Sequence, residues 1–242
     1  MLIINIGMPR SGTLWRYKLI RDLVIAGGGK DGLEIRNNYF LKPFIALPNA
    51  DLNTLKFKRL FPASVPSFLG ETYVLNTHAG PSNLTKKLIK QGRLKAIYGF
   101  RDPRDCILSM LEYSRRALPQ YSNEFLSLKT LQDAINYMQQ YIGIWNEWTK
   151  LEGIITVKYE EMLENYHHSV ETISNYLNLD LRHEDLDKIL KTYLPKTKPE
   201  EGVKIHFQHG QANRFRELFN PEELEQINST YRNILLRMGY DV

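Results

Sequence analysis

Apolar residues along the chain form two alternating patterns, short continuous runs and longer stretches with helical spacing. The continuous runs predict four buried strands. The first begins at residue 2 or 3, and the other three cover residues 71–76, 94–100 and 154–159. Helical spacing predicts a helix from Leu14 to the glycines at 27–29, and further helices at 81–91, from Asp105 onward, and at 130–151, 160–177, 183–193 and 221–238. Strands that alternate with helices favour an α/β fold, with three α/β/α layers and a central, mostly parallel sheet.

One stretch, residues 30–68, follows neither pattern. It combines prolines with aromatic residues, and its apolar density is too high for a linker, so we expect an irregular excursion that faces a ligand. The residues concerned are Pro43, Pro48, Pro62, Pro66, Tyr39, Phe40, Phe44, Phe57, Phe61 and Phe68. No internal repeat or domain boundary is evident, and the sequence therefore predicts a single domain over residues 1–242.

Composition narrows the classes of function. The net charge of +5 is spread along the 242 residues, which suits a small anionic ligand better than nucleic acid. The only cysteine, Cys106, predicts no internal disulfide and no thiol-rich metal site, and we expect it to be a buried apolar residue. No apolar run approaches the roughly 18 residues that span a bilayer, and because a strand is predicted from residue 2 or 3, we expect no leader. We expect a cytoplasmic enzyme without a membrane partner.

The turn after the first strand carries the most informative chemistry. Glycines at positions 7 and 12 bracket a compact turn that leads into a helix, whose first N–H groups form an anion site at the positive end of the helix dipole. Arg10 adds a positive charge there, and Ser11 and Thr13 add hydroxyl groups. The spacing partly matches the phosphate loop of nucleotide triphosphatases but lacks the lysine before Ser/Thr. A plain strand-to-helix turn is the alternative interpretation.

A second pair of residues follows the strand at 94–100. Arg101 lies just past its carboxyl end, where open α/β sheets bind ligands, and Ser109 follows eight residues later on the next helix. The planar guanidinium suits a phosphate dianion, and the hydroxyl could add one hydrogen bond. A surface ion pair is the alternative for Arg101.

Together these motifs resemble the sulfotransferase family that uses 3′-phosphoadenosine 5′-phosphosulfate (PAPS). The first family motif, P-[KR]-[ST]-G-T-T-W, is similar to residues 9–15, and the second, which starts R-[DN]-P-[KR]-D and ends on a serine, is similar to residues 101–109. A third marker, V-x-Y-E-[DE]-[ML], matches residues 157–162. The family's catalytic histidine precedes the second motif, and here His78 stands twenty-three residues before Arg101. The markers occur in family order over nearly the whole chain, which implies a P-loop-like fold.

The resemblance implies sulfuryl transfer from PAPS to an acceptor hydroxyl of a small molecule or sugar, with PAP as the product and no metal required. His78 would be the general base, and Arg10 would stabilise charge on the leaving phosphate. Trp15 would stack on adenine and Tyr159 would contact the base or its ribose, although core packing is an alternative for both. The donor-binding residues implied are Arg10, Ser11, Gly12, Thr13, Leu14, Trp15, Arg101, Ser109, Tyr159 and Gly210. The expected acceptor walls are residues 39–68, 113–128 and 203–209.

The C-terminal marker departs from the family pattern. Gln208 and His209 stand where the family has an arginine–lysine pair for the 3′-phosphate, so that only Gly210 is carried over. His209, Arg214 or Arg216 could substitute for that pair. The family's dimer signature maps onto residues 216–225 but loses its Thr and Val, which leaves the oligomeric state open.

Two other functions remain open from the sequence. A magnesium-dependent nucleotide kinase or phosphatase on a phosphate-loop scaffold would need a lysine before Ser/Thr and a metal-binding aspartate, and neither is evident. A catalytically idle nucleotide-binding module is the other alternative, because the C-terminal marker is incomplete.

Overall fold

The computed structural model describes residues 1–116, 124–195 and 210–242, and these group into two compact units. The sheet unit consists of Met1–Gly7, Gly12–Phe100 and Ile144–Pro195. The helical unit consists of Met8–Ser11, Arg101–Gly143 and the described C-terminal residues 210–242. The prediction of a single domain over residues 1–242 stays a prediction.

All four strands of the described residues lie in one parallel sheet of the sheet unit. They are β1 (Leu2–Gly7), β2 (Tyr73–Thr77), β3 (Leu94–Phe100) and β4 (Ile154–Lys158), in the spatial order β2-β1-β3-β4. Every residue of β1 is buried, as expected for a central parallel strand with both faces covered. The predicted α/β class with a parallel sheet flanked by helices is confirmed.

The helices follow the strands as the sequence pattern predicts, with additions. In chain order they are α1 (Thr13–Ala26), α2 (Gly32–Asn38), α3 (Phe57–Phe68), α4 (Asn83–Lys90), α5 (Pro103–Arg116), α6 (Leu131–Trp148), α7 (Tyr159–Glu164), α8 (Tyr166–Leu177), α9 (His183–Tyr193), α10 (Phe215–Leu218) and α11 (Pro221–Arg237). A short 3-10 helix covers Glu124–Ser127. α1 buries Leu19, Ile20 and Leu23, and it packs against β1, β2 and α9.

The interpretation of residues 30–68 as irregular is wrong, because α2 and α3 form within this stretch. Pro62 and Pro66 lie inside α3, where each removes a backbone donor. Two serine hydroxyls bond backward within the same helix, from Ser64 to the Phe61 carbonyl and from Ser67 to the Ser64 carbonyl. Burial of one face of α3 outweighs the low helix propensity of its prolines.

Several other boundaries also differ from the prediction. The single helix expected at 160–177 is interrupted at Asn165, whose backbone leaves the helical region at φ −123° and ψ 50°. α5 begins at Pro103 instead of Asp105, because proline is well suited to the first turn of a helix. The candidate site residue Tyr159, predicted as the last residue of the strand at 154–159, is instead the first residue of α7, because β4 ends at Lys158.

Candidate active site

The first turn of α1 has the features of an anion site. Its N-cap residue, Gly12, has a left-handed backbone with φ 70° and ψ 20°, no side chain caps the helix, and its first turn holds no acidic residue. The partial positive charge of the helix N-terminus is therefore not offset by a carboxylate within the first turn. The Thr13 side chain is buried there, and Leu14 and Trp15 are half-buried.

Glycine is the only residue type that fits position 12 without strain. Its φ lies in the left-handed region, and a Cβ built on it would lie 2.8 Å from the Tyr159 ring. Tyr159 therefore packs directly on the N-cap of α1. This contact gives Tyr159 a structural role at the start of the helix, which the sequence interpretation weighed as the alternative to a contact with the nucleotide.

Trp15 lies in an aromatic cluster of the sheet unit. Its ring stacks on Tyr166 at a centroid distance of 6.1 Å and meets the edge of Tyr159 at 6.2 Å. The indole N–H donates to the Tyr193 carbonyl at 3.0 Å. The ring is thus held in a fixed orientation beside the N-terminus of α1.

His78 follows directly after β2, at the carboxyl edge of the sheet. The β1–β2 register pairs Ile6 with Thr77, which brings His78 beside Gly7 at the end of β1. The His78 Nδ1 lies 2.6 Å from the Gly7 carbonyl oxygen. A carbonyl can only accept, so Nδ1 carries the proton and Nε2 carries the lone pair of the neutral ring. This tautomer is the one that a general base at Nε2 requires.

A chain of hydrogen-bonded side chains that the sequence pattern did not predict connects α1 to the sheet. Asn5 Nδ2 donates to the Thr13 carbonyl at 3.1 Å and to Asn76 Oδ1 at 2.7 Å, and Asn76 Nδ2 donates to Asp51 Oδ1 at 2.6 Å. Burial raises the pKa of Asp51, while its hydrogen bond from Asn76 and the nearby His78 lower it. Asparagine inside an apolar strand pattern was the only signal of this network in the sequence.

In the helical unit, Arg10 contacts the helix of the second motif. Its Nε donates to Ser109 Oγ at 3.0 Å, and its guanidinium lies 5.1 Å from the centre of the Tyr113 ring. Burial lowers the pKa of Arg10, and the neighbouring charge of Arg101 lowers it too, against opposing contributions from Cys106 and Tyr113. Arg10 itself has φ 65°, an uncommon backbone for a residue with a side chain. Ser11 closes the same turn by donating its hydroxyl to the Met8 carbonyl at 2.8 Å.

Arg101 connects the loop of the first motif to the C-terminal segment of the helical unit. Its guanidinium pairs with Asp105 at 3.0 Å and donates to the backbone carbonyls of Arg10 at 3.3 Å and Gln211 at 2.8 Å. Asp105 in turn accepts from the backbone N–H of Asn213 at 2.8 Å and of Phe215 at 3.0 Å. Gly210, next to Gln211, has φ 56°.

Within the helical unit the structure therefore brings Arg10, Arg101 and Ser109 together with the segment that begins at Gly210. The two arginines that could substitute for the missing family pair are otherwise engaged. Arg214 forms a two-bond pair with Glu112 at 3.0 and 2.6 Å, and Arg216 is exposed, with its guanidinium 5.2 Å from the Phe215 ring centre. Gln208 and His209 lie outside the described residues.

The expected acceptor walls are described only in part. The stretch 39–68 exposes several aromatic rings, including Phe40 at 85% and Phe57 at 62%, and Phe57 stacks on Phe61 at 5.1 Å. In the second stretch, Tyr113 meets the edge of Phe125 at 5.8 Å. Residues 117–123 of that stretch, and the whole of 203–209, lie outside the described residues.

Other expectations concern Cys106, metals and membranes. Cys106 is buried, as expected. Among the described side chains, no three His, Cys, Asp or Glu residues are grouped as metal ligands would be, and the expectation that no metal is required stays a prediction. None of the helices in the described ranges is long and apolar enough to cross a membrane.

Comparison with protein-family models gives a match to the sulfotransferase domain over residues 2–239. Among curated proteins, the amine sulfotransferase of Oryctolagus cuniculus is 24% identical over 193 residues, which cover 76% of this chain and 58% of that protein. The chain thus spans less than two thirds of this relative. Sulfotransferase 6B1 of Mus musculus is 21% identical over 240 residues, which cover 94% of this chain and 74% of the relative.

Two solved structures share the fold. A mouse sulfotransferase complexed with PAP superposes with a TM-score of 0.63 at 17% identity, covering 97% of this chain and 84% of that one. Retinol dehydratase, solved with androsterone and inactive cofactor PAP, gives a TM-score of 0.62 at 18% identity, covering 97% and 80% of the two chains.

Proposed function

Because the chain belongs to the sulfotransferase domain family, we propose that it transfers a sulfuryl group from PAPS to an acceptor hydroxyl, with PAP as the second product. The observation that carries this proposal is the position of His78. Its Nδ1 is fixed on the Gly7 carbonyl, at the carboxyl edge of the sheet, and Gly7 is the residue that begins the turn into α1. Both relatives named above are sulfotransferases, and both solved neighbours contain PAP.

His78 acts as the general base in this proposal. Its Nε2 accepts the proton of the acceptor hydroxyl while the hydroxyl oxygen forms a bond to sulfur. The bond between sulfur and the bridging phosphate oxygen breaks, and the electron pair remains on the 5′-phosphate. The Gly7 carbonyl stabilises the imidazolium, because it accepts a hydrogen bond from Nδ1–H in both charge states.

The start of α1 holds the 5′-phosphosulfate. The backbone N–H groups of residues 11–14 and the Thr13 hydroxyl donate to its oxygens, and the helix dipole stabilises the charge that develops when sulfur leaves. Trp15 orients the adenine, with Tyr159 packed beside it. No side chain of this chain needs to attack the sulfur, so the rate depends on orientation and charge.

The 3′-phosphate is assigned to Arg101 and Ser109. The Arg10 Nε donates a hydrogen bond to Ser109 Oγ. The remaining N–H groups of Arg10 are assigned to the 5′-phosphate, on which negative charge develops as sulfur departs. A phosphate oxygen is a stronger acceptor than a hydroxyl or a backbone carbonyl, so these guanidinium groups exchange partners when the nucleotide binds. Gly210 supplies its backbone to the same ligand.

The acceptor is a small molecule or a sugar with a hydroxyl group. The exposed aromatic rings of residues 39–68 offer flat apolar surfaces that suit phenols, steroids and the apolar faces of sugars. One solved neighbour contains androsterone, which is consistent with an alicyclic alcohol as the acceptor.

The proposal is tested with sulfur-labelled PAPS and a panel of phenols, steroids, amines and sugars, each with and without a chelator. We expect label transfer to at least one alcohol, and thermal stabilisation by PAP in the presence of the chelator. A larger stabilisation by ATP with Mg²⁺ than by PAP would favour the nucleotide kinase alternative. Stabilisation by PAP without transfer to any acceptor would favour the idle binding module.

A further inference from the structure

Arg16 is a fully buried cation in the first turns of α1. Its side chain is 1% exposed, and its backbone N–H bonds the Gly12 carbonyl at 3.0 Å. The guanidinium Nε donates to Asn5 Oδ1 at 2.8 Å, and Nη2 donates to the Ile6 carbonyl at 2.6 Å. Arg16 thus lies one helical turn from the N-cap residue of the anion site.

The sheet has a gap that accommodates this guanidinium. Gly99 is the next-to-last residue of β3, and a Cβ built on it would lie 1.7 Å from Arg16 Nη1. Ile6 is the next-to-last residue of β1, which pairs with β3. The positive charge is therefore held between the carboxyl ends of two central strands, the edge at which parallel sheets bind their ligands.

The charge of Arg16 has no carboxylate partner within salt-bridge distance in the described part of the chain. Its two side-chain hydrogen bonds end on neutral oxygens, of Asn5 and of the Ile6 backbone. The amide chain through Asn5 and Asn76 separates it from the carboxylate of Asp51. Burial lowers the pKa of Arg16 to about 10, so the side chain remains charged at neutral pH.

A buried cation without a counter-ion is costly, and a bound anion offsets that cost. We propose that Arg16 is a positioning residue whose charge holds the 5′-phosphosulfate of the donor at the first turn of α1. This inference rests on the proposed function, because it assigns the group of the donor that the charge serves. A purely structural role, the attachment of α1 to β1 by hydrogen bonds, is the competing explanation.

Two substitutions, Arg16→Lys and Arg16→Gln, separate the effect of the Arg16 charge from the effect of its hydrogen bonds. The side chains that they introduce are of similar length. Both lose the planar fork that contacts Asn5 and Ile6, but only the lysine keeps the positive charge. Binding of PAP and of adenosine 3′-monophosphate, which lacks the 5′-phosphate, is measured by titration calorimetry. The melting temperature of each variant without nucleotide reports on the fold.

We expect Arg16→Gln to weaken PAP binding by at least about tenfold, as for the loss of one partly screened charge. Binding of adenosine 3′-monophosphate should stay within about twofold, and Arg16→Lys should bind PAP nearly as tightly as the parent chain. If Arg16→Gln does not fold, Arg16→Met gives the same comparison with an apolar side chain that suits a buried site.

Three outcomes would overturn the inference. These are unchanged PAP binding in the neutral variant, equal losses for both nucleotides, and equal losses for the lysine and glutamine variants. Failure of the proposed function gives a different result: either the parent chain itself does not bind PAP, or it binds PAP but transfers no label to any acceptor.

Discussion

At the scale of single residues, the backbone of Gly99 and the guanidinium of Arg16 share one small space in the sheet unit. The guanidinium lies where a side chain at position 99 would be. Gly99 has no left-handed φ and lies within a strand, so backbone conformation does not require glycine there, whereas the contact with Arg16 does. The two positions are consequently coupled, although they belong to different elements.

We predict that Gly99→Ala lowers the free energy of unfolding by about 1–3 kcal/mol, as for overpacking of a buried site. The cost should be smaller in an Arg16→Ala background, because the colliding group is gone. Denaturant unfolding of the parent chain, the two single variants and the double variant gives the coupling energy between positions 16 and 99. A suitable control is Gly143→Ala, since a Cβ there meets nothing within 4 Å and the helix α6 should gain stability. Equal costs of Gly99→Ala in both backgrounds would contradict the coupling.

His78 is the residue whose removal should separate catalysis from binding. We expect His78→Ala to lower kcat by about 10²–10⁴-fold and to leave the affinity for PAP within a small factor, since general bases typically contribute that much. His168→Ala is the matched control, because that histidine is 80% exposed on α8. Parental turnover in the His78 variant would rule out its assignment as the base.

Single residues were predictable where a motif fixes them and not where a network does. The positions of His78 and Arg101 at the carboxyl edge of the sheet were predictable, because each directly follows a parallel strand, and their roles in the reaction stay predictions. Arg16, Asn5 and Asp51 were not predicted, because their pairing depends on strand register and on helix orientation. The bond between Arg10 and Ser109 was also unexpected, since the sequence interpretation assigned them to different phosphates.

At the scale of elements, the N-terminus of α1 depends on the contact between Gly12 and Tyr159. The residue at this N-cap needs both a left-handed backbone and the absence of a Cβ. α1 is thereby positioned against the start of α7, whose first residue is Tyr159. Any side chain at position 12 would displace that ring or the helix start.

We predict that Gly12→Ala weakens PAP binding and lowers the free energy of unfolding by about 2–4 kcal/mol, from left-handed strain plus the collision with Tyr159. Gly28→Ala provides the control: its φ is 84° and a Cβ there meets nothing within 4 Å, so that only the strain of about 1–2 kcal/mol applies. Calorimetry and denaturant unfolding measure both variants. Equal effects of the two substitutions would show that the Tyr159 contact is unimportant.

The presence of most helices and strands was predictable from periodicity, whereas the interruptions within them were not. The strand at 94–100 and the helix at 183–193 match the structure at both ends. α3 was missed because its prolines indicate irregular structure, and only burial of its inner face explains it. At the dimer signature, Asn220 caps α11 and Pro221 is its first residue, so the departure from the family pattern begins a helix.

At the scale of the whole molecule, four buried tyrosines make stability sensitive to alkaline pH. Burial is the largest cause that raises the pKa of Tyr17, Tyr73, Tyr166 and Tyr231 above the ordinary value of 10.0. The folded chain therefore keeps these phenols neutral at a pH where the unfolded chain ionises them. Their contribution to stability is fully present below pH 10 and is lost as pH rises above it.

We predict that the free energy of unfolding falls above pH 10 by up to about 1.4 kcal/mol per pH unit for each of these tyrosines. The basic groups Arg10, Arg16 and Lys95 have the opposite sign, because burial lowers the pKa of each in the folded chain. Urea unfolding and the ultraviolet absorbance of tyrosinate are followed together. Tyrosinate that forms at its ordinary pH while the chain remains folded would contradict this account.

The side-chain amides of Asn5 and Asn76 offer a spectroscopic use for the network that connects α1 to the sheet. Their orientation is unambiguous, because Arg16 can only donate to Asn5 and the Asp51 carboxylate can only accept from Asn76. Each amide is thus polarised along the chain of hydrogen bonds that runs from the Arg16 guanidinium to the Asp51 carboxylate. In nitrogen-15 spectra their NH₂ resonances should shift when the guanidinium meets an anion, giving a label that reports occupancy before any acceptor is identified.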